Sequence, residues 1–126
     1  MDQPAKPYDI KERVFLFACG VIDAYPRVRL DAASLKVWSQ LIASATSSGA
    51  HLEEAAAGGS RAQFLALNRG ALREMRESNY WLRILVTTKL HNFSKAERLL
   101  SESHELVAII STIVRRTYEN SDRKRN

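Results

Sequence analysis

Residues 60–88 constrain the possible folds of this chain more than any other stretch. Leu65, Asn68, Leu72, Met75, Asn79, Leu82 and Val86 recur at alternating spacings of three and four, the seam of a helix that lies against other helices. At 1.5 Å per residue such a helix is about 40 Å long. Beside the seam run Arg69, Arg73, Arg76, Tyr80 and Arg83, again alternating fours and threes. That spacing stacks four guanidinium groups and one phenol on a single stripe. Surface helices usually alternate charge sign, so a stripe of mostly one sign either solvates the helix or awaits an anionic partner.

The remaining segments supply three more helices. Asp9 is placed to cap a first helix, with Glu12 three residues on, and Val14, Phe15, Ala18, Val21, Ile22 and Tyr25 mark its apolar face. Pro26 ends it, because the residue before a proline avoids the helical region. A second helix starts between Asp31 and Ser34, carries Leu35, Trp38, Leu41, Ile42, Ala45 and Leu52, and stops at Gly58-Gly59. The small side chains from Ser44 to Ala50 predict a kink or, better, a close helix contact. Ser60 caps the third helix, with Gln63 at the reciprocal position. His91, Asn92 and Phe93 form a turn, and Ser94 caps a fourth helix with Glu97 three residues later. In that helix Leu99, Leu106 and Ile113 recur at seven, as do Leu100, Val107 and Val114.

No alternating run bounded by hairpin turns argues for strands. Short connections between four long helices predict an all-α fold, an antiparallel up-and-down four-helix bundle over residues 9–119. Residues 1–8 are expected to be flexible, and residues 120–126 a basic, disordered tail.

The 126 residues suffice for one domain with a real core. Nineteen basic against 14 acidic side chains give a net charge of +5 and a pI near 9.7. Nucleic acid, an acidic protein and a membrane surface all suit that balance. The single cysteine, Cys19, excludes an internal disulfide, fits a reducing compartment and reads as a small core residue among Phe15, Phe17, Ala18, Val21 and Ile22. Residues 1–7 lack the apolar core of a signal peptide, and no apolar run reaches the roughly 20 residues that span a bilayer. The expected location is the cytoplasm.

No catalytic or metal-binding constellation emerges. None of His51, His91 and His104 has a glutamate three residues before it, as a di-iron bundle site requires. His51-Leu52-Glu53 lacks the Cys-x-x-Cys partner of a zinc deaminase, and Gly58-Gly59-Ser60-Arg61 lacks the spacing and lysine of a phosphate-binding loop. Neither a cofactor nor an enzymatic activity is expected. Asn68 and Asn79 lie in the seam, where asparagines fix register. Phe64, Leu67, Ala71, Trp81 and Leu85 flank the seam on the side away from the arginines. That surplus of apolar surface is either a wide core face or, the preferred reading, an oligomer interface built from Phe64, Leu67, Glu74, Trp81 and Leu85, with Glu74 meeting a basic or hydrogen-bonding partner.

The arginine stripe has two readings. It is a solvated face, or it contacts phosphates while Tyr80 stacks on an unpaired base. Arg115 and Arg116 near the C-terminus would extend it, as would Arg123, Lys124 and Arg125. An oligomer would multiply such patches.

Beyond these patterns, the run from Ser44 to Ala55, the segment Ser60-Arg61-Ala62-Gln63-Phe64, the triplet Leu72-Arg73-Glu74 and the block Glu77-Ser78-Asn79-Tyr80-Trp81-Leu82 resemble a known family. It comprises the bacterial four-helix-bundle proteins encoded within intervening sequences of large-subunit ribosomal RNA genes. The opening Tyr8-Asp9-Ile10-Lys11-Glu12-Arg13 resembles that family's start, and the likeness spans residues 8–118. One departure is His51, where the family usually carries asparagine, which affects the contacts of the second helix. The resemblance implies an antiparallel bundle that assembles as a homopentamer without catalytic activity. A related group with the same architecture, the accessory variability determinants of diversity-generating retroelements, binds a reverse transcriptase and nucleic acid through a basic surface. The function expected is therefore a non-enzymatic, oligomeric bundle binding RNA or a ribonucleoprotein partner through basic residues. The alternative is a protein-interaction or scaffold module without a nucleic-acid role.

Overall fold

The structure, a computed structural model, describes residues 9–90 and 93–125, the side chains of Phe93 and of residues 123–125 excepted. Four helices follow one another: α1 (Ile10–Ala24), α2 (Ala32–Ala56), α3 (Arg61–Thr88) and α4 (Phe93–Arg125). Each packs against its neighbour in sequence, and α1 also packs against α4. That closes a ring of four antiparallel helices, the expected four-helix bundle, and no strand occurs among the described residues.

Helix starts are set by local chemistry. The side chains of Asp9, Asp31 and Ser60 accept hydrogen bonds from the backbone N–H groups of Glu12, Ser34 and Gln63. Each satisfies a donor that the first helical turn leaves without a partner. Tyr25, before Pro26, turns to ψ 127° and ends α1. At the end of α3 the backbone turns left-handed at Lys89, with φ 56°. The stop falls where the sequence bounds the helix, at residue 88, but with a lysine rather than a glycine in the left-handed position.

The core runs the length of the bundle through Val14, Val21, Trp38, Leu41, Met75, Leu82, Leu106 and Ile110, all fully buried. On α4 the centre of the buried face is Ala96, Ser103, Leu106 and Ile110, and the two expected heptad rows flank it, half-buried except for Leu106. Tyr25 meets Trp38 edge-on, with ring centroids 5.8 Å apart. Arg13 forks onto Glu102, donating from Nε at 3.2 Å and from Nη2 at 2.6 Å, which ties α1 to α4.

The small residues of α2 mark a close contact with α3 in an unbroken helix. Ser44 and Ser78 hydroxyls hydrogen-bond at 2.8 Å, and Ser48 donates to the Ala71 carbonyl at 2.8 Å. His51 lies over Gly70, where a Cβ would come within 3.2 Å of its ring. A hydroxyl satisfied across an interface costs little to bury.

Several expectations are corrected. Cys19 is exposed rather than in the core. Phe15 and Ile22, read as core-facing, are 51% and 43% exposed. With 15 residues, α1 is the shortest helix, and its apolar face is wider than α2 and α4 can cover. Ser94 lies inside α4, which begins at Phe93, rather than capping it. Residues 120–125 continue α4 instead of forming a disordered tail. Arg115 approaches Glu119 one turn on, and Thr117 and Ser121 hydroxyls bond to carbonyls four residues back. The expected flexible segment 1–8 and the turn residues His91 and Asn92 lie outside the described residues.

Candidate nucleic-acid interface

The outer face of α3 follows from its inner one. With Asn68, Leu72, Met75 and Leu82 buried, the 3.6-residue period turns Arg69, Arg73, Arg76, Tyr80 and Arg83 outward, and all five are exposed. From Arg69 to Arg83 the stripe covers about 21 Å of helix. None of its arginines has a carboxylate within 4.0 Å among the described ion pairs. Arg13, by contrast, is held by Glu102 and lies near Glu105.

Helix α4 borders the stripe. The Arg69 guanidinium lies 5.6 Å from the centre of the Tyr118 ring, a cation–π contact across the two helices. Arg115, three residues before Tyr118, shares its flank and is exposed. Arg116 is exposed but about 200° around the helix from Tyr118, so it faces away. The structure thus joins Arg115 to the stripe and separates Arg116 from it.

Tyr80 is 53% exposed. Its ring meets Trp81 edge-on, with centroids 5.1 Å apart and planes at 72°. An open depression of about 730 Å³ is lined by Arg69, Arg73, Arg76, Glu77, Tyr80 and Trp81, with Leu72 and Val114 beneath. Glu74, one turn before Glu77, is half-buried. Burial raises its carboxyl above the usual glutamate range, and Glu77 pushes it further up, while His51 and Arg73 pull it back. Within the protomer Glu74 shares a hydrogen bond with Glu77, and His51 and Arg73 act on it only through their charge.

Of the residues assigned to an oligomer interface, Leu85 is fully buried inside the protomer, as is Ala71 nearer the start of the same helix. Both belong to the core. Leu67 and Trp81 are half-buried, and Phe64 is 37% exposed at the start of α3. Trp81, expected on the flank away from the arginines, instead lines the depression with them. The larger exposed apolar surface lies between α1 and α2, where Phe15, Cys19 and Ile22 face Thr46, Gly49 and Ala50 across a groove of about 240 Å³. Leu16 beside it is 58% exposed. Periodicity marks how wide an apolar face is. It does not tell how much of that face the neighbours cover.

The register role expected of the seam asparagines divides between them. Asn79 donates to Ser103 on α4 at 2.9 Å and lies 3.2 Å from the His104 ring nitrogen Nδ1. Asn68 donates to the Phe64 carbonyl of its own helix. Among the described residues no group of three or more His, Cys, Asp or Glu side chains is placed to hold a metal ion. No helix there is long and apolar enough to cross a membrane.

With this geometry in hand, the comparisons with known proteins are informative. The family model for the 23S rRNA-intervening sequence protein matches residues 7–112. A crystal structure from Bacteroides thetaiotaomicron, described as a protein with unknown function from the S23 ribosomal protein family, is 27% identical in sequence. It superposes with a TM-score of 0.72, covering 83% of this chain and 97% of that one. No curated protein matches the chain.

Proposed function

Because the chain belongs to the 23S rRNA-intervening sequence protein family, we propose that it is a non-enzymatic, oligomeric bundle that binds RNA through its basic face. That face comprises Arg69, Arg73, Arg76, Tyr80 and Arg83 of α3 with Arg115 of α4. The observation that carries the reading is four exposed guanidinium groups in line without a carboxylate within 4.0 Å among the described ion pairs. A guanidinium without a carboxylate partner is free to take a phosphate bidentately. Arg115 borders these four with Glu119 4.0 Å from its Nε. A cytoplasmic location, where RNA is at hand, belongs to this proposal.

The exposed groove between α1 and α2 supports self-association, and the homopentamer is the assembly that the family resemblance implies. A ring would repeat the basic face and strengthen a weak contact by multivalency. Light scattering is expected to give a mass above the protomer's, and Phe15→Glu to reduce it.

Reversing two charges tests the RNA reading. Arg73→Glu with Arg76→Glu is expected to weaken binding to a mixed structured and single-stranded RNA by at least about tenfold, while circular dichroism stays unchanged. RNA binding indifferent to the double reversal would sink it. The scaffold reading takes its place if the wild type assembles but binds no RNA at low salt.

A further inference from the structure

One residue in the basic face is at odds with simple capture of phosphates. Glu77 stands in the depression that Arg73, Arg76, Tyr80 and Trp81 also line, and a carboxylate there repels an anionic backbone. Beyond its hydrogen bond with Glu74, that carboxylate has acceptor positions left over, and the neutral N–H donors of a base edge suit them where a phosphate does not. We propose that Glu77, Tyr80 and Trp81 form a notch for one unpaired nucleobase bearing an exocyclic amine, with the adjoining phosphates on Arg73 and Arg76. This rests on the RNA-binding reading and names the class of nucleotide it takes.

The spacing assembles the notch on a single helix. Glu77 precedes Tyr80 by three residues and Trp81 by four, so both rings stand one turn above it. Arg73 lies four residues below Glu77, and Arg76 four below Tyr80. The two rings meet at 72° with centroids 5.1 Å apart, forming a corner. A base stacked on the exposed Tyr80 face then presents its edge along the helix toward Glu77. The notch is one part of the open depression of about 730 Å³, which leaves room for the adjoining nucleotides over Arg69, Arg73 and Arg76.

The chemistry of Glu77 selects among bases. An ionised carboxylate only accepts hydrogen bonds. Cytosine offers its N4 amine and adenine its N6 amine, while guanine offers an amine and a ring N–H side by side. Uracil offers one ring N–H between two carbonyl oxygens, which oppose the carboxylate. Paired bases have already spent these donors, so duplex RNA would miss the notch and contact only the arginines. Stacking on Tyr80 adds an attraction that every base shares.

The test uses the full chain with 12-nucleotide oligo(C), oligo(A) and oligo(U) at one low salt concentration. Tryptophan fluorescence reports on the notch, because Trp38 is fully buried and Trp81 lies in the depression. Oligo(C) and oligo(A) are expected to bind about 5–10-fold more tightly than oligo(U), and to quench Trp81. Glu77→Gln, whose amide also donates, should collapse the preference without weakening oligo(U). Tyr80→Ala should abolish the quenching and weaken all three. Equal affinity for the three oligomers, with salt-sensitive binding retained, overturns the notch and leaves the RNA reading standing. No binding to any of them overturns both.

Discussion

Along one edge of α2, Ser44 and Ser48 are buried against α3. Along the other, Gly49 and Ala50 line an open groove beside the exposed Phe15 and Cys19 of α1. Both edges are built of small side chains, and what faces them decides the outcome. Opposite Ser44 and Ser48 stand Ser78 and Ala71, equally small, so the two helices approach until hydroxyls reach across at 2.8 Å. At Gly49 the buried Val14 of α1 comes close, 3.6 Å from where a Cβ would stand, while Phe15 and Ile22 farther out on α1 turn to the surface. Small against small seals a contact, whereas small beside large leaves the large residue at the surface.

The largest test of that difference is Ala71→Leu at the sealed edge. Ala71 is fully buried, and three extra carbons there force the backbones apart. We expect a loss of about 2–3 kcal/mol in urea unfolding. A loss under about 0.5 kcal/mol would mean the contact is looser than drawn. Next comes Ser44→Ala, expected to cost about 1 kcal/mol by leaving the buried Ser78 hydroxyl without the partner it has on α2. Ser78→Ala is expected to cost somewhat less, because Ser44 keeps its bond to the Leu41 carbonyl. The double variant should cost less than the sum, and strict additivity would show that the pair does not interact.

A smaller effect is expected of Glu74→Gln. Its carboxyl is raised in the folded protein by burial and then by Glu77, so folding favours the protonated form over the ionised one. The stability this contributes is fully present below the unfolded glutamate pKa of about 4.3 and lost as pH rises through the higher folded value. The neutral glutamine should therefore raise Tm slightly at pH 7, with the gain shrinking as pH falls. A gain that grows on acidification would reverse the assignment. Smallest of all, Ala50→Leu in the open groove should change stability by less than about 0.5 kcal/mol, because the new side chain finds room there. A cost near that of Ala71→Leu would show the two edges to be alike.

Much of this architecture was legible in the chain. Asp9, Asp31 and Ser60 announce helix starts because capping needs only residues three apart. The heptad positions of α3 name its inner face, and the arginines follow on the outer one. What stayed hidden depends on neighbours distant in sequence. Leu85 carries the same apolar signal as Trp81, yet the bundle covers the first and leaves the second half-exposed. Phe15 and Ile22 lie at the outer edge of the apolar face of α1, where only the short side chains Thr46, Gly49 and Ala50 of α2 stand beside them. His51 over Gly70 needed the register of α2 on α3. Charge density at residues 120–126 argued for disorder, and local bonds of the i, i+4 kind carry the helix through most of it. Arg115 and Arg116 are adjacent in sequence, but only a helix separates them by 100°.

The central claim is that the outer face of α3 holds phosphates. The most direct measurement is the affinity of the wild-type protein for single-stranded RNA as salt is raised from about 50 to 300 mM. Each phosphate held by an arginine releases counterions and contributes about −0.7 to the slope of log K against log salt. Four such contacts predict a slope near −3, falling by about 1.4 when Arg73 and Arg76 become glutamine. A flat dependence, or a slope that the two substitutions leave unchanged, would contradict it.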